Sequence, residues 1–163
     1  MKLKELLDTL AVQSALLDEL LTVFERETVE MGEVNVSGMA DVNQAKEALI
    51  NRIAELSQTM QQAVSGLAGS YGLASATSLK DIAEHLAKKG DGGLLLKLQQ
   101  LSGTTDKIKQ VAALNMEIAE RFSSTITTSL TLITRLINQS NVYGASGGYQ
   151  RNNAGAVMIN REA

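Results

Sequence analysis

The sequence predicts an all-α protein: an elongated antiparallel helical bundle of three long helices plus one short helix, with a flexible C-terminal tail. Three observations carry this. Leucine and isoleucine recur at helical spacing up to about Gln139. Proline is absent from all 163 residues, and an interior proline costs a helix about 3 kcal/mol. Aromatic content is 3% with no tryptophan, so the core is built of Leu, Ile, Val, Ala and Met, as in long packed helices.

The first helix is expected from about Lys2 to Met31. Its heptad trace is Leu3, Leu7, Leu10, Ser14, Leu17, Leu21, Phe24, Thr28 and Met31, widened by Leu6, Leu16 and Leu20. Gly32 is placed to close it in the left-handed conformation. Ser37 is the expected N-cap of the second helix. That helix carries Met39, Val42, Lys46, Leu49, Ile53, Leu56, Met60, Ala63 and Leu67. Lys46 is the misfit; its stem is expected along the seam with its charge in water. Gly66, Gly69 and Gly72 then break the helix. Ser78-Leu79-Lys80-Asp81 resembles a capping box and opens a short helix to about Lys89, ended by Gly90, Gly92 and Gly93.

The last helix is expected from Asp91 or Gly93 to about Gln139, with a kink or break possible at Ser102-Gly103. Asn115 falls on its apolar trace, where an Asn commonly fixes register. Forty-odd residues span roughly 65–70 Å against about 45 Å for each of the first two helices, so one helix outruns its neighbours. From Thr125 to Ile137 the one charge is Arg135. Either this stripe packs on the N-terminal helix, or it awaits a partner helix. The helical body is assigned to 1–139 and the tail to 140–163. The tail cannot build a core, yet it holds Tyr143 and Tyr149, two of the three tyrosines.

Composition excludes several functions. Net charge is -3; in the tail Arg151 and Arg161 against Glu162 give +1, which leaves -4 in the body. That is too acidic to track a phosphate backbone, so nucleic acid is not expected. Zero cysteines exclude disulfides, thiolate metal sites and a Cys nucleophile. No stretch reaches the roughly 18 apolar residues of a membrane span, and Glu5 and Asp8 interrupt any signal-peptide core. The expectation is a cytoplasmic protein without membrane insertion. His85 is the lone histidine and stands beside Glu84, with no Glu-x-x-His pair, HExxH or Walker-type loop. No catalytic, cofactor-binding or metal residue is therefore assigned, and no cofactor is expected.

Four places resemble the FlgN-type family of flagellar export chaperones. They are Gly32-Glu33-Val34-Asn35-Val36-Ser37, Gln44-Ala45-Lys46-Glu47-Ala48-Leu49-Ile50, Leu114-Asn115, and Val142-Tyr143-Gly144-Ala145-Ser146-Gly147 after the last helix. The family pattern at the last is Tyr-Gly-x-x-Gly, often with an acid at the second x; Ser146 departs from it. The similarity runs over essentially the whole chain. It implies a non-enzymatic cytoplasmic chaperone of the hook-filament junction proteins FlgK and FlgL, delivering them to the export-gate protein FlhA. It further implies gate docking through Tyr143 and Gly144, and client binding in the C-terminal region. The stripe Phe122, Ile126, Leu130, Ile133, Leu136 and Ile137 suits an amphipathic client helix, with Val157 and Ile159 as a clamp that orders on binding. A coiled-coil scaffold using the same stripe for self-assembly is the alternative, and a homo-oligomer is left open. A cofactor-binding bundle ranks last.

Overall fold

A computed structural model describes residues 2–74 and 77–140 of the chain. The described residues form four helices and no strand: α1 (Lys2–Gly32), α2 (Val36–Ser70), α3 (Leu79–Lys88) and α4 (Gly93–Ser140). The chain divides into two units, residues 1–119 and 120–163.

In the first unit, α1 and α2 run antiparallel. Lys2 Nζ donates to the carbonyl of Gly66 near one end, and Lys46 Nζ donates to Glu27 Oε1 near the other. α4 begins beside the start of α1 and follows it in the same direction. Thr104 Oγ1 donates to Asp18 Oδ1, and Asn115 reaches Phe24 and Glu27. Consecutive long helices therefore alternate in direction, and α3 makes the crossover between α2 and α4.

Two apolar clusters hold this unit. The first joins all four helices through Leu6, Leu10, Leu67, Ile82, Leu86, Leu94 and Leu101. Each fully buried leucine or isoleucine contributes about 1.5–3 kcal/mol, so this cluster dominates the stability of the unit. The second is smaller, formed by Leu16, Leu20 and Leu49 with Phe24, Ile53 and Ile108 packed against it.

Three helices end in the same hydrogen-bond pattern, a crossed pair that satisfies the last free carbonyls in a Schellman motif. After α2, Leu73 N–H donates to Ala68 O and Gly72 N–H to Gly69 O, with Gly72 at φ +67. After α3, Asp91 N–H donates to Leu86 O and Gly90 N–H to Ala87 O, with Gly90 at φ +98. After α1, Asn35 N–H donates to Glu30 O and Val34 N–H to Met31 O, and the left-handed residue is Val34, at φ 55. The expectation for Gly32 is thus corrected. Gly32 is still helical, and a β-branched residue takes the strained position two residues on.

Asn35 also corrects the expected cap. It closes α1 and caps α2 at once: its Oδ1 accepts from Gly38 N–H at 3.1 Å, and its Nδ2 donates to Glu30 Oε2 at 2.6 Å. Ser37 lies inside the first turn of α2. Gly38 sits close against this joint: a Cβ there would meet the Glu30 carboxylate and the Asn35 amide, and those side chains would have to shift. Gly66 and Gly69 are helical, so only Gly72 breaks α2. Ser78 caps α3 as expected, its hydroxyl accepting from Asp81 N–H and donating to Asp81 Oδ2. α4 continues through Ser102-Gly103 without a break.

Candidate functional site

A polar layer fixes α4 within the first unit. Asn115 is 4% exposed. Its Nδ2 donates to Phe24 O and to Glu27 Oε2, each at 2.9 Å, and its Oδ1 accepts from Thr28 Oγ1 at 2.6 Å. The other Glu27 oxygen takes the Lys46 ammonium, which also lies 5.3 Å from the centre of the Phe24 ring. Lys46 therefore does not send its charge to water. It completes a chain from α4 through α1 to α2, in which two half-buried charges are paired and hydrogen-bonded. Asn115 and Lys46 stood out in the sequence as misfits on apolar traces. Glu27 did not, because nothing in a one-dimensional pattern marks an acid that will meet partners on two other helices.

The face of α4 that carries Leu94, Leu101, Ile108 and Asn115 repeats every seven residues and continues through Phe122, Ser129 and Leu136. Its surroundings change along the way. Leu94, Leu101 and Asn115 are buried; every residue from Ala119 to Ile137 is exposed. Among the expected client-binding residues, Phe122 is 37% exposed, Ile126 58%, Leu130 55%, Ile133 51%, Leu136 65% and Ile137 55%. At 100° per residue these six share one side of the helix, across a stripe about 120° wide. The structure thus leaves them together and uncovered among the described residues. Leu132, 54% exposed, extends the same face and was not singled out from the sequence.

The hydroxyl-rich back of this segment is quieter than its composition suggests. Thr125, Thr127, Thr131 and Thr134 each donate Oγ1–H to the carbonyl four residues earlier, at 2.8–3.0 Å. Their hydroxyls are satisfied within the helix, which leaves methyl groups on the surface.

Tyr143, Gly144, Val157 and Ile159 lie outside the described residues. His85 is half-buried on α3, and its buried Nε2 has no hydrogen-bond partner among the described residues. No group of three or more His, Cys, Asp or Glu among them is placed to hold a metal. No described helix is long and apolar enough to cross a membrane. Elsewhere in the first unit an open apolar groove runs along α2, lined by Ile50, Ile53, Leu56, Met60, Val64 and Leu79.

A polar-anchored helical core together with a long uncovered apolar helix face describes a protein that binds other polypeptides. Comparison with known families makes this specific. The family profile described as FlgN protein matches residues 1–151, and the chain belongs to the FlgN family. Membership implies the role of a flagellar export chaperone, which is not enzymatic. Comparisons with curated proteins and with solved structures find no match.

Proposed function

We propose that this chain is a cytoplasmic chaperone that binds FlgK and FlgL through residues 122–137 of α4, keeps them soluble, and passes them to the export-gate protein FlhA. The observation that carries the reading is the uncovered face formed by Phe122, Ile126, Leu130, Ile133, Leu136 and Ile137. A client segment that later assembles into filament is helical and amphipathic, and it finds here an exposed stripe of matching period. Covering six half-exposed side chains contributes on the order of 5–8 kcal/mol gross. Association costs several kcal/mol of that, so the complex is tight enough to protect and weak enough to release.

The remaining assignments extend the same reading. Residues 1–139 form the helical chaperone body and 140–163 a tail. Within the tail Val157 and Ile159 close over the client, while Tyr143 and Gly144 dock at the gate. A tyrosine beside glycine supplies contact area and one directed hydrogen bond, which suits a transient dock.

The test is a binding titration of wild type and Ile133→Glu with the C-terminal helical segment of FlgK. The variant is expected to bind at least tenfold more weakly while its circular dichroism and melting temperature stay at wild-type values. Retained affinity would remove the stripe from the client site.

A further inference from the structure

The joint between α1 and α2 keeps three features that work against the local fold. The first is Val34. At the left-handed position where α2 and α3 end on Gly72 and Gly90, α1 carries a β-branched residue at φ 55, and its side chain is more than half exposed. The second is apolar surface. Val29 and Val36 are also more than half exposed, so three valines within eight residues meet solvent. The third is Glu33, an acid at the C-terminal end of α1. The helix dipole disfavours an anion there, and the last turn holds no basic residue to offset it. A glycine at 34, polar residues at 29 and 36 and a neutral residue at 33 would all serve the joint better as structure. Local conflicts of this kind gather where a surface has a second task.

The charges state what would cover the valines. From Glu27 to Ala45 the chain has four acids and no Lys or Arg. Two of the acids are engaged, Glu27 by Lys46 and Glu30 by Arg26. Glu33 and Asp41 are exposed, as is Glu25, and none of the three has an ion-pair partner among the described residues. At four-residue spacing Glu25, Val29 and Glu33 lie along one side of α1, an apolar side chain between two carboxylates. The complementary surface carries an apolar side chain between cations.

We propose that the α1–α2 joint is a docking surface for a basic polypeptide segment, one with an apolar residue flanked by Lys or Arg, and that Val34 and Glu33 are kept there against fold stability. The surface belongs to the first unit and is separate from residues 122–137. Three valines amount to a few hundred Å² at most, well below a standard interface, so the contact is weak and transient.

The probe is an end-capped hexapeptide, Lys-Lys-Leu-Leu-Lys-Lys, titrated into the nitrogen-15-labelled full chain at low salt. Amide shifts are expected to saturate with a dissociation constant on the order of 1 mM and to be largest over residues 29–37. The matching glutamate peptide is expected not to bind. Val34→Gly is expected to weaken binding at least threefold while its melting temperature stays level or rises. Glu33→Gln is expected to weaken it at least threefold at low salt, with the difference closing near 1 M salt, where the screening length is about 3 Å. Both variants are expected to bind the FlgK C-terminal helical peptide as wild type does.

Shifts spread over acids elsewhere, or confined to residues 122–137, overturn the site. So does equal affinity for the glutamate peptide, or a Val34→Gly variant that binds like wild type. A Val34→Gly variant that melts earlier and binds less places the valine in the service of the fold and overturns the trade. More than threefold loss of FlgK affinity in either variant overturns a surface separate from the client stripe.

Discussion

Asn115→Ala probes the polar layer most directly. The side chain is 4% exposed and makes three hydrogen bonds, one to the Glu27 carboxylate. A neutral bond contributes about 1 kcal/mol net, and one to a charged group about 1.5–3 kcal/mol. Phe24 O keeps the Thr28 hydroxyl as a donor at 3.2 Å, and Glu27 keeps Lys46, so neither acceptor is fully orphaned. The expected loss is therefore about 2–4 kcal/mol rather than the sum of all three bonds with their desolvation. For a unit of residues 1–119 this lowers the melting temperature by roughly 8–16 °C. Urea denaturation followed by far-UV circular dichroism measures it. A cycle with Glu27→Ala separates the pair from its surroundings, with an expected coupling of about 1–2 kcal/mol. A loss under about 0.5 kcal/mol, or no coupling, would show that apolar packing alone holds α4 and that the Asn115–Glu27 contact is idle.

Three further outcomes are expected, beside the client titration of Ile133→Glu. Val34→Gly relieves a left-handed β-branched residue whose side chain is 59% exposed, and raises stability by about 1 kcal/mol after the glycine's own entropy cost; a drop in a thermal melt would mean that the valine makes a contact that matters. Tyr143→Ala is expected to weaken binding to the cytoplasmic domain of FlhA at least tenfold in a pull-down titration and leave FlgK binding unchanged; equal gate affinity would sink the docking assignment. In native-state hydrogen exchange, amides of residues 122–137 are expected to exchange far faster than those around Leu6 and Leu10 and to slow on adding client; equal protection without client would contradict an uncovered helix.

Much of this architecture is legible because helix burial repeats along one dimension. The traces through Leu10, Leu49 and Leu94 run along buried faces, although on α1 the buried Leu6, Leu16 and Leu20 only widen the trace and Leu3, Leu7, Leu17 and Leu21 on it are half-buried; Asn115 is recognisable as a register residue from its place on an apolar trace. The failures share one cause: they depend on which residues from different segments meet. Gly32 and Ser37 satisfy local end rules, yet the joint between α1 and α2 is organised by Glu30, which binds the Asn35 amide and lies close against Gly38. Lys46 reads as a snorkelling cation until Glu27 is found beside it. The stripe from Phe122 to Ile137 shows the limit most clearly. Periodicity states that a face is apolar, and it carries no information on what covers that face.

The composition of that segment explains how such a face is carried on a helix. Residues 120–137 include eight β-branched side chains and several serines, each about 0.4–0.7 kcal/mol poorer than alanine in a helix. Their summed penalty, on the order of 4–6 kcal/mol, is not repaid by burial, because the whole span is exposed. Leucine and alanine would hold the helix better, but a leucine-rich, charge-poor face of this length is a general aggregation hazard. Thr127, Thr131 and Thr134 lower that hazard on the outward side while their back-bonded hydroxyls keep donors from competing for a partner. The segment therefore sits near the threshold of helix stability. A partner that covers its apolar side stabilises the contact and the helix together. Much of the gross contact energy is spent on ordering, so the chain can hold a helix-forming client and still let it go.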